Sequence, residues 1–172
     1  VVDADADQNT VNGLLVAQVD GLRYVEAGAF VDATGDAWLA HHAGADYRLA
    51  GRDTQDIMPA SLCWIGTGID TGNTGNPRDY VDEAREAGDW AHNEFRSVNS
   101  HLGPGIVGFN AGHLYQLDAT DPEQLSRGMA EGRRIAHDHA EFFRKYVPGY
   151  QDMDLTETAP LMGVRETRRI VG

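Results

Sequence analysis

The chain alternates between short apolar runs and one long stretch with helical spacing. The long stretch begins at Asp121-Pro122, where a capping aspartate precedes a proline suited to the first helical turn, and it continues to about Tyr146. Apolar residues recur there every three or four positions, and Pro148-Gly149 ends the pattern. Apolar runs bounded by glycine, proline and aspartate lie on both sides and predict strands. This mixture predicts an α+β fold.

The first 34 residues are expected to form a β-meander. The acidic segment Asp3 to Asn9 is typical of a solvated loop, and Val11 to Val19 is apolar with partial alternation. Asp20-Gly21 then gives a strong signal for a hairpin turn. A buried strand is predicted at Ala29 to Asp32, and we expect it to end in a tight turn at Thr34-Gly35.

Five further elements follow from the same kind of pattern. They are a short helix at Trp38 to Ala43, a strand within Met58 to Ile65, a helix from Pro77 to Phe95, a strand at Ile106 to Phe109 and extended chain at Thr156 to Pro160.

The composition argues against a nucleic-acid-binding protein, a membrane-spanning protein and a disulfide-rich protein. The 172 residues carry a formal charge of −13, which repels phosphates at long range and argues against a nucleic-acid partner. Apolar residues make up 41% of the chain, enough for a core, but no apolar run is as long as a membrane span. Cys63 is the only cysteine, so a disulfide framework is excluded and a cytoplasmic location is the natural expectation.

The histidines do not predict a metal site. His41 and His42 are adjacent, and His137 and His139 lie two apart on the predicted long helix, so neither pair shares a helix face. We therefore expect no metal centre.

The turn Ala33-Thr34-Gly35-Asp36 is a candidate cofactor-binding edge. In open α/β sheets, ligands bind beyond the carboxyl ends of strands, where glycine lets the backbone approach a phosphate or a ribose closely. The alternative is an ordinary connection between a strand and a helix, since turns of this composition are common.

Three arginines lie close together near the end of the sequence. Arg165, Arg168 and Arg169 are interrupted by Glu166 and Thr167 in an otherwise acidic chain. Guanidinium groups bind carboxylates and phosphates in bidentate geometry, so this block predicts an anion pocket. The alternative is an internal ion-pair network in which Glu166 holds one or two of the arginines.

Two of these stretches carry a resemblance to a known family. Val31 to Asp36, followed by Leu39-Ala40 and Ala43 to Ala45, resembles the segment that closes the dinucleotide domain of FAD-dependent oxidoreductases. The likeness is to the branch related in fold to the fumarate reductase flavoproteins. The longer block from Thr158 to Ile170 resembles the same family, as does Val147 to Tyr150 before it.

The resemblance implies a division of the chain into three parts. Residues 1–46 would be the C-terminal part of an FAD-binding domain, comprising the β-meander and its closing strand. Residues 47–160 would form a mixed substrate or cap domain, and residues 161–172 would return toward the flavin domain. The family's pyrophosphate-binding Gly-x-Gly-x-x-Gly loop, expected after a first strand and before a helix, is not found in this sequence. We therefore expect a fragment that supplies part of a flavin site and has the rest of its own chain as a partner.

The resemblance also implies a reaction and a set of site residues. The parent protein would transfer a hydride between a small organic substrate and FAD. Ala33, Thr34, Gly35 and Asp36 would contact the cofactor. The residues implied for catalysis are His113, Arg165 and Arg168, and those implied for substrate binding are Asn110 and Arg169.

Other functions stay open at this point. A histidine beside a strand is often a hydrogen-bonded structural residue, and this applies to His113. In the alternative function, the chain is a non-catalytic binding or structural cap domain that recognises an acidic ligand through Arg165 and Arg168.

Overall fold

The computed structural model describes residues 1–8, 10–54 and 57–172. These residues form three antiparallel sheets and three α-helices, so the predicted α+β class is confirmed. The chain divides into two compact units, each described by itself below. Unit 1 comprises Val1–Ile57 and Glu166–Gly172, and unit 2 comprises Met58–Arg165. The domain limits at 46 and 160 stay predictions.

Unit 1 opens with the predicted β-meander. Strands β1 (Asp3–Asp7), β2 (Thr10–Gln18) and β3 (Gly21–Glu26) form a sheet in that order. The hairpin between β2 and β3 turns through residues 19 and 20, one position earlier than predicted, because Gly21 already pairs with Gln18. The loop predicted for residues 3–9 is wrong, since residues 3–7 pair with β2 as an edge strand with exposed aspartates. Asn9 lies outside the described residues.

The strand predicted at residues 29–32 is not formed, and the closing strand of the predicted fold class is therefore absent from the described structure. Residues 27–34 have no regular structure, and Val31 is 88% exposed. A strand needs hydrogen-bonded neighbours, and no described strand pairs with this segment. The Asp32 side chain bonds instead to the backbone of the following turn and of the helix after it.

A second small sheet completes unit 1. Helix α1 (Trp38–His42) is followed by Gly44, whose φ of 83° suits glycine after a helix end. Strand β4 (Tyr47–Leu49) pairs antiparallel with β9 (Arg168–Ile170), the last strand of the chain. The sequence pattern gave no sign of this pairing.

Unit 2 is built on a four-stranded antiparallel sheet. Its strands are β5 (Trp64–Thr67), β6 (Ser97–Gly103), β7 (Ile106–Ala111) and β8 (Asp154–Thr158), in the spatial order β6-β7-β5-β8. The strand predicted within residues 58–65 begins only at Trp64, and the residues before it form two isolated bridges. Strand β6 was not predicted, because its sequence is largely polar and exposed.

The two helices of unit 2 differ in how well they were predicted. Helix α2 (Val81–Glu86) follows a single 3-10 turn at Pro77–Tyr80, and Gly88 with a φ of 80° ends it well before the predicted limit at residue 95. Helix α3 (Pro122–Tyr146) matches its prediction. Asp121 caps α3, because its carboxylate accepts hydrogen bonds from the backbone amides of Glu123 and Gln124.

Aromatic packing on one face of this sheet forms the core of unit 2. The rings of Trp64 and Phe109 stack with centroids 3.7 Å apart, and Phe143 of α3 meets the Phe109 ring edge-on at 5.2 Å. Each such pair adds about 0.5–1.5 kcal/mol beyond the area that it buries. Along β7, buried residues alternate with Gly108 and the exposed Asn110, so the opposite face of the sheet stays open.

Ala37 offers a test of backbone strain before α1. Its φ of 51° and ψ of 44° are left-handed, which costs an L-residue roughly 1–2 kcal/mol but costs glycine nothing. Glycine also makes the unfolded chain more flexible, which lowers the free energy of unfolding by about 0.4–1 kcal/mol. We expect Ala37→Gly to raise the free energy of unfolding in urea by about 0.5–1 kcal/mol. The matched change Ala43→Gly, at a φ of −77°, should lower it. Equal destabilisation by both changes would show that the backbone at Ala37 is not strained.

His139 gives the protein an acid-sensitive core. The residue is 1% exposed, and its Nδ1–H donates to the Ile135 carbonyl oxygen at 2.8 Å. Burial lowers its pKa to about 4, from 6.5 in the unfolded chain. Between these values the unfolded state binds more protons, so stability falls as the pH is lowered through this range.

The loss attributable to His139 should be about 2 kcal/mol between about pH 7 and about pH 5. Urea denaturation at both pH values measures it. His139→Phe should reduce the pH dependence by that amount, whereas His137→Phe, an exposed position on the same helix, should leave it unchanged. An identical pH dependence in both variants would show that His139 is not the group responsible.

Candidate functional site

In unit 1, Asp32 shapes the turn at Thr34-Gly35. One carboxylate oxygen of Asp32 accepts from the Thr34 amide at 2.9 Å and from the Thr34 hydroxyl at 2.7 Å, and the other accepts from the Ala40 amide at 2.9 Å. The Thr34 hydroxyl oxygen in turn accepts from the Trp38 amide at 2.8 Å. Burial acts to raise the pKa of Asp32, but these hydrogen bonds outweigh it and lower the pKa.

Asp36, the last residue of this turn, is held from the far end of the chain. The Thr167 hydroxyl donates to one Asp36 carboxylate oxygen at 2.6 Å, and the Arg168 guanidinium donates to the Asp36 carbonyl oxygen at 3.2 Å. The structure therefore brings Asp36, which is expected to contact the cofactor, next to Arg168, which is expected to act in catalysis.

The Arg168 guanidinium also lies over aromatic rings. It is 4.4 Å from the centre of the Trp38 ring and 5.8 Å from that of Tyr47. Such contacts are worth roughly 0.5–2 kcal/mol. Beside them, burial and then the charges of Arg168 and His42 lower the pKa of His41. Arg168 is thus fixed in place rather than free in solvent.

The turn leaves hydrogen-bonding groups open to a ligand. Within the described residues, no partner is found for the amides of Gly35 and Asp36 or for the second Asp36 carboxylate oxygen. A side chain at Gly35 would meet no atom within 4 Å, so the backbone is approachable there. Adjacent amides suit a phosphate, and a free carboxylate oxygen suits a hydroxyl group.

The other two arginines are placed differently. The Arg169 side chain pairs with Glu166, as the ion-pair interpretation of this block proposes. Arg165 belongs to unit 2, is exposed, and has no ion pair or hydrogen bond from its side chain within the described part of the chain. Within unit 1, Arg168 and Arg169 therefore each have their own partners.

In unit 2, Asn110 lines a pocket on the open face of the sheet. The pocket has a volume of about 550 Å³. Its other lining residues are mainly apolar or small and include Ile65, Val98, Leu102 and Ala159, with Glu157 at β8. One polar amide among apolar side chains is the usual make-up of a small-molecule pocket.

His113 lines a different and smaller cavity of about 180 Å³. Its Nδ1 lies 2.7 Å from a carboxylate oxygen of Glu94, which also accepts from the Tyr115 hydroxyl. Burial acts to raise the pKa of Glu94, but the Tyr115 hydrogen bond and the charge of His113 outweigh it and lower the pKa. Asn110 lines the larger of these two pockets and not the one that His113 lines, so the two predicted residues do not share a pocket here.

Sequence reasoning missed three partners of the predicted residues. Thr167 lies within the predicted arginine block but has no predicted role, and Trp38 is predicted only as part of a helix. Glu94 fell inside a helix predicted to reach residue 95. No pattern in one sequence links positions 36 and 167, which are 131 residues apart. The pairing of β4 with β9 is what connects them.

Two kinds of feature are absent from the described residues. No group of three or more histidine, cysteine, aspartate or glutamate side chains among them is arranged to hold a metal ion. No helix in the part of the chain that the structure describes is long and apolar enough to cross a membrane.

Comparison with known proteins gives one match. The family model described as FAD dependent oxidoreductase matches residues 1–172, the whole sequence. No curated protein and no solved structure matches it significantly. Because the match spans the full length and includes both resembling stretches, the chain belongs to the family of FAD-dependent oxidoreductases.

Proposed function

We propose that this chain is part of an oxidoreductase that transfers a hydride between a small organic substrate and FAD. The observation that carries the proposal is the Thr34-Asp36 turn, whose free amides and free carboxylate oxygen fit the phosphate and hydroxyl groups of FAD. When bound, the isoalloxazine ring of FAD supplies the hydride chemistry. The residues of the chain bind, orient and provide charge.

The proposed cofactor contacts are those of the turn. Gly35 and Asp36 offer their amides, and Asp36 also offers one carboxylate oxygen. Ala33 and Thr34 hold the backbone in the required path, since the Thr34 side chain is bonded within the turn. A turn held by its own side chains loses little conformational entropy on binding, which favours affinity.

For substrate binding, we propose the open sheet face of unit 2. Asn110 can both donate and accept a hydrogen bond there, and the mainly apolar lining offers a surface for the apolar part of a small organic substrate. His113 is the proposed proton-transfer residue, because the Glu94 carboxylate accepts its Nδ1–H and leaves Nε2 free for a proton. His113 lines a separate cavity, so its proposed role does not depend on that of Asn110.

The arginines are proposed to provide positive charge. Arg168, fixed over Trp38, and Arg165, exposed in unit 2, would stabilise negative charge on substrate or flavin. Arg169 keeps its proposed role in substrate binding. For this role its ion pair with Glu166 would have to be replaced by a contact with the substrate. We also propose a cytoplasmic location, which the lone, unpaired Cys63 favours.

A non-catalytic domain that recognises an acidic ligand is the second candidate function. It is favoured by the exposed, unpaired guanidinium of Arg165 among the described residues. In that case acidic ligands bind equally well with and without FAD. In the proposed oxidoreductase, ligand binding is expected to depend on the flavin.

Changing the two arginines separates a binding role from a structural one. Arg168→Ala should lower the free energy of unfolding by about 1–2 kcal/mol, because the contacts with Trp38 and Asp36 are lost. Arg165→Ala should leave it within about 0.5 kcal/mol and weaken binding of FAD or of an acidic ligand. Denaturation and ligand titration of both variants measure this. A loss of stability in both, without any change in affinity, would favour the structural cap.

Flavin-loaded protein tests the proposed reaction. Small alcohols, amines and hydroxy acids would be mixed with it without oxygen, and loss of the visible flavin absorbance would identify electron donors. With the best donor, Asn110→Ala should slow reduction about tenfold at low donor concentration, because one hydrogen bond to substrate is lost. Asn73→Ala, an exposed loop position, is the matched control. No reduction by any donor, or equal rates in both variants, would count against the assignment.

A further inference from the structure

We propose that Thr167 is a positioning residue for the cofactor, acting through the Asp36 carboxylate. The inference rests on the proposed function, because it assigns Asp36 to FAD binding. It adds a residue that makes no proposed contact with FAD, and it explains how the end of the chain prepares the turn.

Thr167 is itself rigidly held. The residue is 7% exposed, and its carbonyl oxygen accepts from the Ala50 amide at 3.2 Å, which extends the pairing of β4 with β9 by one step. The Asp36 carboxylate is the hydrogen-bond partner of its hydroxyl, at 2.6 Å. A buried hydroxyl on a fixed backbone presents its proton in one direction.

The Asp36 side chain depends on this one bond. Within the described residues its carboxylate has no other hydrogen-bond partner, so without Thr167 it would rotate freely about two bonds. A hydroxyl bonded to a carboxylate forms a strong, charge-assisted hydrogen bond. It occupies one oxygen of Asp36 and leaves the other in a fixed place for a donor on the ligand.

Thr167 and Arg168 have different parts in this arrangement. Arg168 bonds to the Asp36 carbonyl oxygen and so fixes the backbone of the turn. Thr167 fixes the side chain. Loss of the Thr167 hydroxyl should therefore change the affinity for FAD more than it changes the stability of the fold.

The test compares FAD dissociation constants of protein expressed from the complete reading frame, measured by quenching of flavin fluorescence. Thr167→Val keeps the shape and β-propensity of threonine but removes the hydroxyl, and we expect roughly tenfold weaker binding. Thr167→Ser keeps the hydroxyl and should restore affinity to within about twofold. Thr10→Val, an exposed position in β2, is the matched control for the loss of a threonine hydroxyl and should bind as the unchanged protein does.

A double-mutant cycle shows whether Thr167 acts through Asp36. In a protein that already carries Asp36→Ala, the further change Thr167→Val should leave FAD affinity the same. A tenfold loss in that background would overturn the positioning role, as would unchanged affinity in Thr167→Val alone. If the unchanged protein binds no FAD, the proposed function itself fails, which is a different result from either of these.

Discussion

The pairing of β4 with β9 is the contact on which unit 1 and its candidate site depend. It consists of three residue pairs, from Tyr47 with Ile170 to Leu49 with Arg168, and it brings the last residues of the chain to a turn more than 130 positions earlier. A ladder of three pairs is short. Arg168 over Trp38 and the hydrogen bond from Thr167 to Asp36 add the side-chain contacts that such a short ladder needs.

These same contacts occupy two of the three arginines near the end of the sequence. In unit 1 the guanidinium of Arg168 is already used by an aromatic ring and a backbone carbonyl, and that of Arg169 by Glu166. Both of these cations therefore contribute to local structure. The groups left open for a ligand are instead the amides and the carboxylate of the Thr34-Asp36 turn.

Much of the fold could be predicted from the sequence where local signals agree. Helix α3 has a capping aspartate, a proline in its first turn and a helical apolar pattern, and the β-meander has alternation with a turn signal. Predictions failed where the structure of a segment depends on a single residue or on a strand that is distant in the sequence. Gly88 ends α2 early, and the polar β6 is a strand because it pairs with β7. The segment at residues 29–32 has no strand beside it, and Asp32 bonds instead to the turn that follows. The candidate turn and Arg168 were named from the sequence, but Thr167 could not be, because its role arises only from pairing with β4.

The proposed function is tested most directly by the visible absorption spectrum of the protein, expressed from its complete reading frame, after incubation with FAD and removal of the excess. We expect a retained flavin band at about one flavin per chain, and a strongly reduced band in Asp36→Ala although that variant still folds. A folded but colourless protein would contradict the account, because it would reduce the Thr34-Asp36 turn to a simple connection between a loop and a helix.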